Sequence, residues 1–230
     1  INANGGIAGK QIKLLIEDEK GDTQEAVNVY NKLVEGGANA IIGDITSGPS
    51  VAVSELANRD NMLMITPTGT QLDITEGKPS VFRVCYTDPF QGKILAQYAK
   101  ETLGAKKVAV LSNNSSDYSQ GVKDAFLAEA AVQGIQVVGD ESYGNSDKDF
   151  RVQLTTIASA DPDVVMIPDY YQIIALIAPQ AREVGIDAKF IGPDGWDGIT
   201  DQLTTGLADE KLIKESLNAV EDSIFANHYS

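Results

Sequence analysis

One cysteine and one histidine occur among 230 residues. Cys85 has no second thiol to pair with, so no disulfide forms within the chain. A lone cysteine of this kind reads as a small core-facing side chain. His228 sits among the last three residues, and nucleophilic catalysis by Ser or Thr needs a base beside the nucleophile. Basic side chains are also scarce: 18 Lys and Arg against 33 Asp and Glu, a net charge of −15. Phosphate backbones are held by clustered Lys and Arg, so nucleic acid is excluded as a partner, and so is docking on an anionic membrane surface. The longest apolar runs, such as "VVMIP" and "IIALIA", fall far short of the roughly 20 residues that span a bilayer. No direct membrane insertion is expected of this segment. No G-x-G-x-x-G follows a strand-like run. In "NGGIAGKQ", Lys10 is followed by Gln11, where a phosphate-binding loop needs Ser or Thr. "DEKGD" lacks the spaced acidic pattern of a calcium loop. These absences leave no cofactor, no metal site and no enzyme chemistry to expect. The abrupt start at Ile1-Asn2-Ala3 fits a chain whose leader has been removed.

What the chain does have is regular alternation. Short apolar runs ("IKLLIEDE", "ANAIIGDI", "MLMITP") interleave with segments of helical period ("TQEAVNVYNKLVEGG", and "PSVAVSELANRDN" opened by Pro49). After a turn-rich stretch, "GTQLDITEGKPSVFRVCYTDP", read as an irregular connection, the alternation restarts. It then runs from "FQGKILAQYAKETLG" through "AKFIGPDG", with a loop and polar helix in "TDQLTTGLADEKLIKESLNAVED" and a last strand in "SIFANHYS". Strand–helix alternation predicts an α/β fold with parallel sheets flanked by helices. The break divides it into two Rossmann-like lobes, residues 1–86 and 87–230.

Open parallel sheets gather ligands beyond the carboxyl ends of their strands. There the sequence places hydroxyls, carboxylates and aromatics. In "IIGDITSGPS", Thr46-Ser47-Gly48 precedes Pro49 at a helix start. A helix N-terminus carries unpaired N–H groups and about half a positive charge, so small hydroxyl residues there suit a carboxylate. Thr68-Gly69-Thr70 repeats that chemistry after the next strand. On sequence alone the stronger reading of both clusters is ordinary helix caps and turns. In "GPDGWDG", Asp194 follows a strand among glycines and could meet an ammonium group, with Tyr118, Tyr170 and Trp196 as aromatic walls. Each aromatic, taken alone, is more often core or rim than a ligand contact. A carboxylate grip on one lobe and an ammonium grip on the other together describe an α-amino acid site.

With these residues assembled, the chain resembles the periplasmic branched-chain amino-acid binding proteins, the solute receptors of ABC importers. The resemblance rests on "NANGGIAGKQIKLLIEDEKGD", "IIGDITSGPS", "ITPTGT", "FRVCYTDPFQG", "DYSQGV", "QAREVG" and "IGPDGWDG", in that order over nearly all 230 residues. It implies a periplasmic or extracellular receptor, lipoprotein-anchored in some members. Its two lobes would close about a hinge on an aliphatic or hydrophobic amino acid and present it to a membrane permease. It assigns the ligand carboxylate to Ser47 and Thr70, and the ammonium to the backbone carbonyl of Thr68 and to Asp194. It gives pocket walls to Tyr118 and Tyr170, leaves Trp196 at a variable position, and brings Thr46 in beside Ser47. It also implies a strand and helix before Ile1 and a continuation past Ser230, so the first lobe would be incomplete as given and unstable on its own. A regulatory sensor of the same fold, binding an amide or amino acid without transport, is the alternative.

Overall fold

The computed structural model describes residues 1–228. The chain forms two units, one of Ile1–Gly69 with Asp73–Val84, the other of Thr70–Leu72 with the residues from Cys85 onward.

In the first unit, α1 (Thr23–Glu35) starts where the Asp22 carboxylate accepts the Glu25 N–H, and it stops at Gly36-Gly37. The apolar stripe expected of "TQEAVNVYNKLVEGG" buries Ala26 and Tyr30. Three short parallel strands, β1 (Ala40–Ile42), β2 (Leu63–Thr66) and β3 (Val81–Arg83), pair in chain order. The helix α2 (Ser47–Arg59) joins β1 to β2. Ile41, Met64 and Val81 turn inward onto Ala26, Tyr30, Val53, Ala57 and Ile74. The opposite face is open: Ile42 is 80 % and Phe82 51 % exposed.

Three readings need correction here. "IKLLIEDE" has strand composition, yet residues 11–19 join no ladder. A strand needs a partner's N–H and C=O groups, and no strand is paired with this stretch among the described residues. The turn-rich connection contains β3, hidden in the sequence by its Gly, Pro and Thr neighbours. The helix after β1 begins at Ser47, two residues before Pro49, which suits a proline in the first helical turn.

The second unit contains α3 (Asp88–Glu101), β4 (Lys107–Asn113), α4 (Asp117–Val132), β5 (Gln136–Tyr143), α5 (Arg151–Ala160) and β6 (Val164–Met166). It continues with α6 (Tyr171–Glu183), β7 (Lys189–Gly192), α7 (Ile199–Thr204), α8 (Glu210–Asn218) and β8 (Ile224–Phe225). All pairings are parallel, in the order β5-β4-β6-β7-β8. Both faces are covered, and the period of two shows it. Ala109, Leu111 and Val165 pack on one side with Phe150, Leu154, Ile174 and Phe190. Val108, Val110, Val164 and Met166 pack on the other with Leu95, Val122 and Phe126. The single polar helix expected near residue 210 is two helices, α7 and α8. Of the strand read in "SIFANHYS", β8 is formed, while Tyr229 and Ser230 lie outside the described residues. Among the described residues no helix is long and apolar enough to cross a membrane, and no group of three acidic, His or Cys side chains could hold a metal ion.

Candidate functional site

On the first unit, the residues after β1 and β2 are tied together by hydroxyls. Ser50 Oγ and Thr66 Oγ1 both donate to the Asp44 carbonyl, at 3.0 and 2.7 Å. Thr68 Oγ1 donates to the Ile45 carbonyl at 2.7 Å, and the Gly69 N–H donates to Thr66 Oγ1 at 2.9 Å. The Thr68 hydroxyl is therefore engaged within the unit. Thr46 is the N-cap residue of α2, but its side chain makes no cap bond, and its Oγ1 is buried without a partner. The capping explanation for this threonine fails on that geometry. Ser47 opens α2 and is buried. Thr70 is buried too; its carbonyl accepts the Asp88 N–H at 3.0 Å, and it groups with the second unit rather than with Ser47.

Asp44 is a feature that sequence reasoning passed over. One of its carboxylate oxygens is buried without a partner. Burial, and then the nearby Glu19, push its pKa up to about 6.

On the second unit, Asp194 opens a 3-10 turn just beyond β7. Its Oδ1 accepts the Tyr118 hydroxyl at 2.6 Å, and that hydroxyl in turn accepts the Gly195 N–H at 2.8 Å. Tyr118 stacks on Tyr170, ring centroids 4.7 Å apart at 17°. The Asp194 N–H donates to Gln91 Oε1 at 2.9 Å. Burial, followed by the charge of Asp194, holds the Tyr118 hydroxyl well above the usual phenol range, so it is a committed donor. Gly195 is required by close approach: a Cβ there would lie 2.9 Å from both the Asp169 carbonyl and the Tyr118 hydroxyl. The sequence-derived trio of Asp194, Tyr118 and Tyr170 is thus one contiguous group.

Trp196 is a different matter. It is 0 % exposed, sits in the core with Phe190, and donates its indole N–H to the Ile167 carbonyl at 2.8 Å. A large ring with its one polar atom satisfied internally is a core anchor; as a pocket wall it has no support here. His228, which the sequence places only among the last three residues, pairs with Asp194 Oδ2 at 2.9 Å, and its ring stacks on Tyr86 at 4.2 Å. The two side chains of the pair are 15 % and 14 % exposed. Nothing in the sequence marks this pairing, because it joins residues 34 positions apart through tertiary structure.

Open parallel sheets with polar side chains massed at their carboxyl ends define an α/β ligand-binding protein. The chain belongs to the periplasmic binding protein family, whose model matches residues 1–213. A Leu/Ile/Val-binding protein of Rhizobium johnstonii is 35 % identical over 196 residues, 85 % of this chain and 53 % of that protein. An amino acid binding protein of Pseudomonas aeruginosa is 34 % identical over 93 % of this chain and 57 % of that protein. The crystal structure of a leucine binding protein from Thermotoga maritima superimposes with a TM-score of 0.88 at 33 % identity, covering 100 % of this chain and 62 % of that one. A branched-chain amino acid transporter substrate binding protein of Streptococcus pneumoniae, solved with isoleucine, gives 0.81 at 33 % identity, covering 95 % and 67 %. The chain spans about half the length of the curated relatives it matches. The family resemblance and the fold class drawn from the motifs are both borne out.

Proposed function

We propose that this chain is the ligand-gripping part of an extracytoplasmic receptor for a branched-chain or other hydrophobic amino acid, which it hands to the permease of an ABC importer. The observation that carries the reading is Asp194, a largely buried carboxylate fixed by the Tyr118 hydroxyl and backed by the Tyr118–Tyr170 stack. An ionised carboxylate has about four lone-pair positions. Tyr118 and His228 use one on each oxygen, so the others are free for ammonium hydrogens. The first unit carries chemistry suited to a carboxylate without a cationic side chain: Ser47 and the N–H groups at the head of α2. The family resemblance adds the Thr70 side chain for a carboxylate and the Thr68 carbonyl for an ammonium group. The relatives solved with or named for leucine and isoleucine support a hydrophobic side chain.

The test is a thermal-shift panel of the twenty amino acids and small amides on the full-length protein. A ligand that binds only the native form raises its melting point. Leucine, isoleucine or valine should give the largest rise, and Asp194→Ala should abolish it. A panel in which only amides or phosphorylated compounds register would overturn the reading.

A further inference from the structure

Asp169 stands two residues beyond the Ile167 carbonyl that anchors Trp196, and it is 2 % exposed. Its Oδ1 accepts the Tyr170 N–H at 2.7 Å. Its Oδ2 accepts the Tyr143 hydroxyl at 2.6 Å and Asn113 Nδ2 at 3.2 Å. Asn113 and Tyr143 are the last residues of β4 and β5, paired in register, so one carboxylate ties together the ends of three adjacent strands. None of these three partners is a cation. A buried carboxylate held only by neutral donors is a poor stabiliser, since an apolar residue of similar volume serves a core as well or better. Its effect is seen in what it orients.

The Tyr170 N–H is the point at which the chain turns into α6, with Tyr170 as the N-cap at φ −83 and ψ 151. Fixing that N–H fixes the direction in which the Tyr170 ring leaves the backbone. The ring then meets Tyr118, whose hydroxyl meets Asp194. The main chain carries a second link. The Asp169 carbonyl lies in the narrow space around Gly195, beside the Tyr118 hydroxyl and the edge of Tyr170. We infer that Asp169 is a positioning residue for the amino-acid site: it sets the Tyr170 ring, and through the Tyr118–Tyr170 stack it sets the hydroxyl that holds Asp194. This rests on the reading of Asp194 as the ammonium acceptor.

The test uses Asp169→Asn in the full-length protein. The amide keeps an acceptor for the Tyr170 N–H but turns a donor toward Tyr143 and Asn113. The variant should keep its far-ultraviolet spectrum, change the near-ultraviolet tyrosine band in the absence of ligand, and bind leucine about tenfold more weakly by calorimetry. Leu154→Ala, a core truncation in the same unit, should lower Tm while leaving both the tyrosine band and the affinity in place. An Asp169→Asn protein with an unaltered band and an affinity within about twofold of the parent overturns the inference. Should that variant fail to fold, Tyr143→Phe decides. It removes the hydroxyl that makes the 2.6 Å bond and, with it, that ring's own tyrosine signal, so affinity alone is read: leucine should bind more weakly, and an affinity within about twofold of the parent overturns the inference. Asp194→Ala run in parallel separates the two claims. Its loss of binding with an unaffected Asp169→Asn defeats the positioning role alone. Its undiminished binding defeats the ammonium assignment, while the tyrosine band still reports whether Asp169 sets the rings.

Discussion

The two units solve the same problem to different degrees. Each is a parallel sheet with helices, but the five-stranded sheet of the second unit is buried on both faces, whereas the three-stranded sheet of the first has one face packed and one exposed. Parallel strands depend on cover from both sides. The strand sequences do not carry the difference: β6 is "VVM", buried at every position, while β1, the equally apolar "AII", has only its central residue enclosed. The polar ends of the sheets differ in the same sense. Asp169 of the second unit has three donors, while one oxygen of Asp44 in the first has none. The second unit presents carboxylates whose hydrogen-bond partners are in place. The first presents neutral donors around a carboxylate that is not fully satisfied.

The sharpest break in the comparison is expected in the cores. Phe190→Ala removes a fully buried ring that also lies under the Arg182 guanidinium, 4.0 Å from its centroid, and should cost about 3–5 kcal/mol. Phe82→Ala, on the open face of β3, should stay within about 0.5 kcal/mol. Urea titration read by fluorescence of the single tryptophan, which lies in the second unit, checks the first value; calorimetry of both variants checks the pair. Equal losses would mean that the two faces are equally covered in solution.

Binding should show the next largest contrast. Asp194→Ala removes a charge partner and should cost about 2–5 kcal/mol of leucine affinity. Ser47→Ala removes one neutral donor and should cost about 1 kcal/mol. Isothermal titration of both variants gives the ratio, and a serine variant that loses as much as the aspartate variant would reverse the assignment of the charged end.

The smallest effect concerns pH. The folded-state pKa of Asp44, about 6, lies above its ordinary 3.8. Between those values the native chain keeps a proton that the unfolded chain has released. Stability therefore falls as pH rises through that window and stays at the lower level above it. Asp44→Asn should flatten that slope and raise neutral-pH stability by about 1 kcal/mol, a figure reduced for solvent screening. Melting curves from pH 4 to 8 decide it; a slope that survives in Asp44→Asn assigns the proton elsewhere.

Much of this was legible from spacing and residue type. The strand–helix alternation follows from local period, and Asp194, Tyr118 and Tyr170 were singled out because they lie beyond the carboxyl ends of strand-like runs. The failures share a physical cause. Residues 11–19 and β3 turn on whether a partner strand is present, which no local pattern encodes. Trp196 was read as an aromatic wall beside Asp194, although its burial is set by Phe190 and the Ile167 carbonyl. Gln91 and His228 reach Asp194 from 103 and 34 positions away, and neither distance leaves a trace in sequence. Asp169 follows the strand-like run "VVMIP", but two of its donors sit on two other strands.

Gly192 and Trp196 cannot vary independently. A methyl group on Gly192 would fall 1.9 Å from the indole nitrogen, inside the ring system itself. Any relative that carries a larger residue at the glycine must therefore shrink or redirect the aromatic four positions later. The two sites should co-vary across descendants of this sequence as a single unit of volume.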